Sequence, residues 1–364
     1  MPLTQVALIH TARREGGALT RVEFWRSALH ANDIEIIEFD LSHPTFFEIF
    51  RGLPRLIQVI RGNQSPECLA YKRPRGLKGR KDIDAVIVLT IRAFDSIECE
   101  LGIPIILDYV DHLSKNYINR SELVSNASRK LLWKILAKLT SRVEGRLRHG
   151  DQITPLAAGY RDSQALNAIF VPSSAPTFVE TNYSSNISSP PTYDLLFFGN
   201  MDYEPNISVL RYLASGAWQE ILDLRPGTSL CIAGRRPTNE VKKLCLTLGA
   251  TFIENFPDVV ALAQSARLSI CPISAATGIQ NKVLEAAAAS LPQVISSQVA
   301  EGLDPLFPIT VSSEQDFPRT CVDLLDNPQR SKQIAKESYD YLVEHYSLSL
   351  LSKKVGQIML DACN

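Results

Sequence analysis

The chain has 364 residues, with 38 Lys+Arg against 39 Asp+Glu for a formal charge of −1, and 45% of its residues are hydrophobic. At about 150 residues per domain this length favours two domains, and the near-neutral balance excludes a dedicated nucleic-acid binder, whose footprint is strongly basic. No apolar run reaches the roughly 18 residues of a membrane-spanning helix, and residues 1–5 lack the basic start and apolar stretch of a signal peptide, so a cytoplasmic protein is expected.

In the first half, strand-like runs at 6–10, 34–39, 85–90 and 104–109 alternate with helical stretches at 20–30 and 46–61. The last two strands are nearly all apolar, which predicts a parallel sheet covered on both faces. A basic, Pro- and Gly-rich run at 72–81 reads as a loop, with attraction to an anionic partner as the sharper alternative.

The stretch 129–148 predicts a long amphipathic helix. Leu131, Ile135, Leu139, Val143 and Leu147 recur every fourth residue as its apolar stripe, and Lys130, Lys134, Lys138, Arg142 and Arg146 form a basic stripe beside it. The plain reading is a core-packed helix with a solvated basic face; the alternative is attachment to an anionic membrane surface.

A Ser/Pro-rich linker at 172–192 separates this domain, 1–171, from a second at 193–346. The second half repeats the alternation, with strands at 195–198, 230–233, 251–254, 268–271 and 293–296. Helices are expected at 207–222, 239–248, 258–265 and 281–290, and a last helix at 347–363 returns to complete the first domain. Two doubly wound α/β domains result, and their ligands are expected beyond the carboxyl ends of the strands, in the cleft between them. Seven scattered cysteines, with no Cys-x-x-Cys pair, read as reduced thiols.

The chemistry concentrates at 272–292. A strand is followed by the turn Thr277-Gly278, then Ile279 and Gln280, and an Ala-rich helix carrying Lys282 and Glu285. A glycine turn into a helix offers backbone N–H groups and a positive dipole end to phosphate. Lys282 and Glu285, three apart, share a helix face. Lys282 suits phosphate and Glu285 ribose hydroxyls; a surface ion pair is the plain alternative. In the first half, Asp111 and His112 follow the strand at 104–109, where a cleft residue belongs, and are the catalytic candidates, although loop Asp-His pairs are commonly structural.

The run Gly278-x3-Lys282-Val283-Leu284-Glu285-Ala286-x-Ala288-x3-Pro292 resembles the signature of the family 4, or group 1, glycosyltransferases. The stretches 197–206, with Gly199, and 232–237, with Arg235, resemble the opening strands of that family's donor domain. The stretch 16–21, with Gly16 and Gly17, resembles its glycine loop, and 108–114 the acceptor loop of exopolysaccharide-associated members. The resemblance implies a glycosyltransferase-B fold of two Rossmann-like domains facing across a cleft, and retaining transfer from a UDP- or GDP-sugar without a metal or other cofactor. The acceptor would be a saccharide, a lipid-linked glycan or a small metabolite. In the family's Glu-x7-Glu pattern Glu285 is the second glutamate, and Thr277 stands where the first contacts the donor sugar. Arg235 and Lys282 are the candidates for phosphate charge, Gly16 and Gly17 for close backbone approach to the diphosphate, and Gly199, Gly278, Ile279 and Gln280 complete the expected donor-binding set. An epimerase or hydrolase of the same fold, and a non-catalytic partner subunit, are the rival readings; Thr277 favours the latter.

Overall fold

The structure, a computed structural model, describes residues 3–11, 17–41, 53–61, 64–66, 77, 80–94, 102–124, 126–147, 153–176, 190–256 and 258–363. The backbone divides into two units: Met1–Ser174 with Thr277–Ile279 and Leu348–Asn364, and Ala175–Ala276 with Gln280–Ser347.

The first unit is a parallel sheet in the order β2-β1-β3-β4-β5-β6. Its strands are β1 Gln5–His10, β2 Glu35–Asp40, β3 Ala85–Leu89, β4 Ile105–Asp108, β5 Ile153–Ala157 and β6 Ile169–Phe170. Successive side chains of a strand point to opposite faces, and here both faces are covered. Val6, Leu8, Ala85 and Ile87 pack against Val22, Trp25 and Leu29 of the helix Gly17–His30 and against Leu351, Val355 and Met359 of the helix Leu348–Cys363. Ala7, Ile9, Val86, Val88 and Leu107 pack on the other face with Tyr117, Ala137 and Val143. Each fully buried Val, Leu or Ile contributes about 1.5–3 kcal/mol, so the central strand β3 is an unbroken apolar run, while the edge strand β2 keeps Glu35, Glu38 and Asp40.

The second unit is a parallel sheet in the order β12-β11-β10-β7-β8-β9. It comprises β7 Tyr193–Asn200, β8 Leu230–Arg235, β9 Thr251–Glu254, β10 Ala266–Cys271, β11 Gln293–Ser296 and β12 Thr310–Ser312. Counted within the unit this is 3-2-1-4-5-6, the dinucleotide-binding order, and the winding reverses between β7 and β10. Leu196, Phe198, Cys231 and Ala233 form its core with Leu262, Ala263 and Ala286. Cys231 and Cys271 are buried free thiols.

Three strands, β5, β6 and β12, have no counterpart among the expected elements. Thr154 and Pro155 break the apolar run of β5, and β6 and β12 are two and three residues long. The helix expected at 207–222 is instead Glu204–Tyr212, a π-turn at Leu213–Ala217 and Trp218–Leu224, because Gly216 takes φ 138° inside it.

The helix Ala127–Leu147 corrects the expected apolar stripe. Val143 and Leu147 are buried, but Leu131 and Ile135 are 61% and 48% exposed. At 3.6 residues per turn a series spaced by four drifts about 40° per step, so five members sweep nearly half the circumference. The stripe therefore starts in solvent and ends in the core. The face that is buried, Ala137, Thr140, Val143, Glu144 and Leu147, advances by steps of three and one.

Candidate functional site

In the second unit the candidate residues gather at the reversal of the winding. β7 ends at Gly199 and Asn200, in register with Gly234 and Arg235 of β8. The helix Asn281–Ala288 follows β10, with Gln280 as its N-cap. Its Lys282 ammonium donates to Asn206 Oδ1 at 2.6 Å and lies 4.5 Å from the centroid of the Phe197 ring. Burial pulls the Lys282 pKa down, opposed by the Cys271 thiol and the Glu285 carboxylate; burial pushes Glu285 up, opposed by Lys282. An anionic ligand beside Lys282 would favour its charged form again. First-turn N–H groups have no acceptor within their own helix, so this end of Asn281–Ala288 adds backbone donors beside the cation. Arg235 is exposed at the carboxyl end of β8.

Gly199 has φ +153°, and a Cβ there would fall 2.8 Å from Asn206 Nδ2 and 2.9 Å from Lys282 Nζ. The glycine is what lets the lysine and the amide meet over the strand end. Gly199→Ala is expected to push Lys282 from Asn206 and weaken binding of an anion beside that lysine about tenfold, read as a smaller pyrophosphate-induced thermal shift in an otherwise folded protein. An unchanged shift would mean that the cation needs no such clearance.

The first unit holds the second cluster, after β4. Asp108, fully buried, closes that strand and accepts from Arg21 Nε at 2.6 Å, Trp25 Nε1 at 2.7 Å and the Val110 N–H at 3.0 Å. Arg21 in turn donates to the Pro172 carbonyl at 2.9 Å. Val110, at φ 62°, is a β-branched residue in the left-handed region. That turn presents Asp111 and His112.

Asp111 Oδ2 accepts from Asn116 Nδ2 at 3.0 Å and from Thr277 Oγ1 at 3.3 Å, and Asn116 Nδ2 also reaches Thr277 Oγ1 at 2.8 Å. Burial raises the Asp111 pKa, Arg92 opposing and the nearby Asp162 adding to it. Asp162 Oδ2 accepts from the N–H groups of His112 at 3.1 Å and Gly278 at 2.7 Å. The Gly278 N–H is thus engaged by a carboxylate of its own chain. A Cβ on Gly159 would stand 3.0 Å from Gly278 Cα, so this approach too needs a glycine. His112 Nε2 lies 3.3 Å from Glu144 Oε2, and Glu144 is itself held by the Ser114 N–H at 3.1 Å and the Ser114 hydroxyl. His112 Nδ1 is buried with no hydrogen-bond partner among the described residues.

The structure therefore brings Asp111, His112, Thr277 and Gly278 together in the first unit, with Ile279 beside them in sequence. It places Gly199, Arg235, Gln280, Lys282 and Glu285 in the second. Gly17 begins the helix Gly17–His30, and Gly16 lies outside the described residues, as does most of the basic run at 72–81. Asn206, Asn116, Asp162 and Glu144 are additions that the sequence reading did not single out. Among the described residues no group of three or more His, Cys, Asp or Glu side chains has metal-holding geometry.

The fold is that of the GT-B glycosyltransferases. TarM aligns with a TM-score of 0.66 at 9% identity, covering 98% of each chain. The E. coli structure described as trehalose-6-phosphate bound with UDP-2-fluoro glucose aligns at 0.66 and 9%, covering 97% of this chain and 99% of that one. Anabaena HepE in complex with UDP aligns at 0.59 and 10%, covering 98% and 100%. Residues 192–327 match the family "Glycosyl transferases group 1". That segment carries the signature motifs, so the resemblance to the group 1 glycosyltransferases is borne out over 192–327, and the expected glycosyltransferase-B fold is borne out by the structural likeness. A search of the curated proteins finds no match to the chain.

Proposed function

We propose that this protein is a retaining, metal-independent hexosyltransferase that moves a sugar from a UDP-sugar to a hydroxyl acceptor in polysaccharide or glycolipid assembly. The observation that carries the reading is the Lys282–Asn206–Gly199 cluster, with Glu285 three residues on, at the winding reversal of a 3-2-1-4-5-6 sheet and at a helix N-terminus. Uridine is favoured because similar folds are described in complex with UDP or a UDP-sugar analogue.

In this reading residues 193–346 hold the donor and residues 1–171, completed by 347–363, the acceptor. Lys282, Arg235 and the helix N–H groups stabilise negative charge on the departing diphosphate, the demand that dominates when the glycosidic bond breaks early. Glu285 accepts from the ribose hydroxyls. Thr277 lacks the carboxylate that the family pattern has there, and Asp111, hydrogen-bonded to Thr277, supplies one in its place. His112, oriented by Glu144, donates or accepts toward the sugar. The acceptor oxygen attacks on the face the diphosphate leaves, and its proton passes to a departing phosphate oxygen. The protein works at the inner face of a bacterial membrane, on a lipid-linked or polysaccharide acceptor.

The test is thermal stabilisation by UDP, GDP, ADP and CMP in wild type and Glu285→Ala. A ligand at 100 times its Kd adds about 2.7 kcal/mol, and UDP alone is expected to do so, with the effect lost in the variant. Thr277 supports a second reading, a non-catalytic partner subunit; no shift with any nucleotide would select it. UDP-sugar turnover without an acceptor would select an epimerase or hydrolase.

A further inference from the structure

We propose that the outward face of the helix Ala127–Leu147 docks on an anionic phospholipid bilayer, an inference that rests on the lipid-linked or membrane-proximal acceptor of the proposed function and names the contact. Leu131, Leu132 and Ile135 are 61%, 53% and 48% exposed within five residues of one helix. The 40° drift that takes Leu147 into the core carries these three into solvent. Around them stand Lys130, Lys134, Lys138 and Arg142, all exposed. The helix has one acid, Glu144, and it is buried beneath Ser114 and His112. The exposed face thus carries cations and large apolar side chains and no anion of its own.

The neighbouring helix Leu113–Leu123 extends the patch with Ile118, 47% exposed. Ile118 borders a groove that also takes in Lys134 and Lys138, with Glu122 as the acid in its lining. An apolar centre with a cationic surround suits the boundary between acyl chains and acidic headgroups: the leucines and isoleucine enter it, and the lysine stems lie along it with their ammonium groups on phosphate. Each basic residue near such a surface strengthens attachment roughly fivefold. A second copy fits poorly, because two-fold pairing would set this face's cations against themselves. No helix among the described residues is long and apolar enough to cross a membrane, so the contact is peripheral.

The face is tied to the acceptor loop by the same helix. Glu144 holds His112 and Ser114, and Leu131 lies 13 residues before it, about 20 Å along the axis at 1.5 Å per residue. Docking there would bring the lipid surface within reach of Asp111 and His112.

The experiment is co-sedimentation of the full chain with vesicles of phosphatidylcholine alone and of phosphatidylcholine mixed with phosphatidylglycerol. Partition onto the mixed vesicles is expected to exceed that onto neutral ones by about tenfold or more, and to fall with added salt. Leu131→Gln/Ile135→Gln and Lys134→Glu/Lys138→Glu should each reduce it about tenfold while leaving UDP-induced stabilisation unchanged. Equal partition onto neutral vesicles, full binding by either double variant, or a dimer that the same substitutions dissolve would overturn the proposal. Vesicle binding without any nucleotide effect would leave docking standing and remove the donor-site reading.

Discussion

Lys282→Ala is expected to lower sugar transfer from a UDP-sugar by about 10²–10³-fold, the loss seen when one preorganised donor to a developing negative charge is removed. Its ammonium is fixed by Asn206 at 2.6 Å and by the Phe197 ring, so it does not reorganise as charge builds on the diphosphate. Burial already disfavours the charged lysine in the free protein, and an anionic ligand reverses that penalty. The fall should therefore appear in both kcat and UDP affinity. Lys282→Arg is a useful companion: the guanidinium keeps the charge but not the compact fit beside Gly199, and should recover affinity more than rate. Steady-state kinetics with a UDP-sugar decides this; a Lys282→Ala protein within threefold of wild type would remove the lysine from the mechanism.

The second large effect is on stability. Arg21→Met is expected to destabilise the first unit by about 3–5 kcal/mol, with a melting temperature lower by on the order of 10 °C. Arg21 and Asp108 are 1% and 0% exposed, and removing the guanidinium leaves a carboxylate in the core with Trp25 and the Val110 N–H as its remaining donors. The double variant Arg21→Met/Asp108→Asn should recover a good part of the loss, since the uncompensated charge goes with it. Calorimetry on the three proteins checks this. A single variant that melts with wild type would show that the carboxylate finds water or a proton at little cost. The same network sets the turn that presents Asp111, so the single variant should also lose activity well below its melting temperature.

The parallel strands were legible because burial on both faces makes β3 and the centre of β7, Leu195–Phe198, continuous apolar runs. Helices starting at a cap, such as Asn239–Leu248 behind Thr238, were legible for a local reason too: the Thr238 side chain accepts from the Val241 N–H. The burial of the helix Ala127–Leu147 was misread, because a four-residue spacing looks like a stripe in print and winds around the real helix. At the site, Lys282 and Glu285 stood out because they share one helix with the turn before it. Asn206 and Asp162 did not. Their partners lie 76 and 116 residues away, and a single polar residue gives no periodic sign of a long-range hydrogen bond. Glu144 is the one acid in a basic helix, and its burial against Ser114 and His112 is a tertiary fact.

The closing helix Leu348–Cys363 has a consequence for how the molecule comes into being. Leu351, Val355 and Met359 fill one face of a sheet whose first strand is β1, Asn32 Nδ2 donates to the Ser352 carbonyl at 2.8 Å, and a Cβ on Gly356 would fall 2.2 Å from Asn32 Oδ1. During synthesis the chain emerges with this sheet made and its covering absent, and nearly two hundred residues must follow before the covering arrives. The second unit, almost continuous in sequence, can reach its native packing earlier on the ribosome than the one begun first. Until Leu348–Cys363 has been made, the apolar surface around Val6, Leu8 and Trp25 stays uncovered on that side.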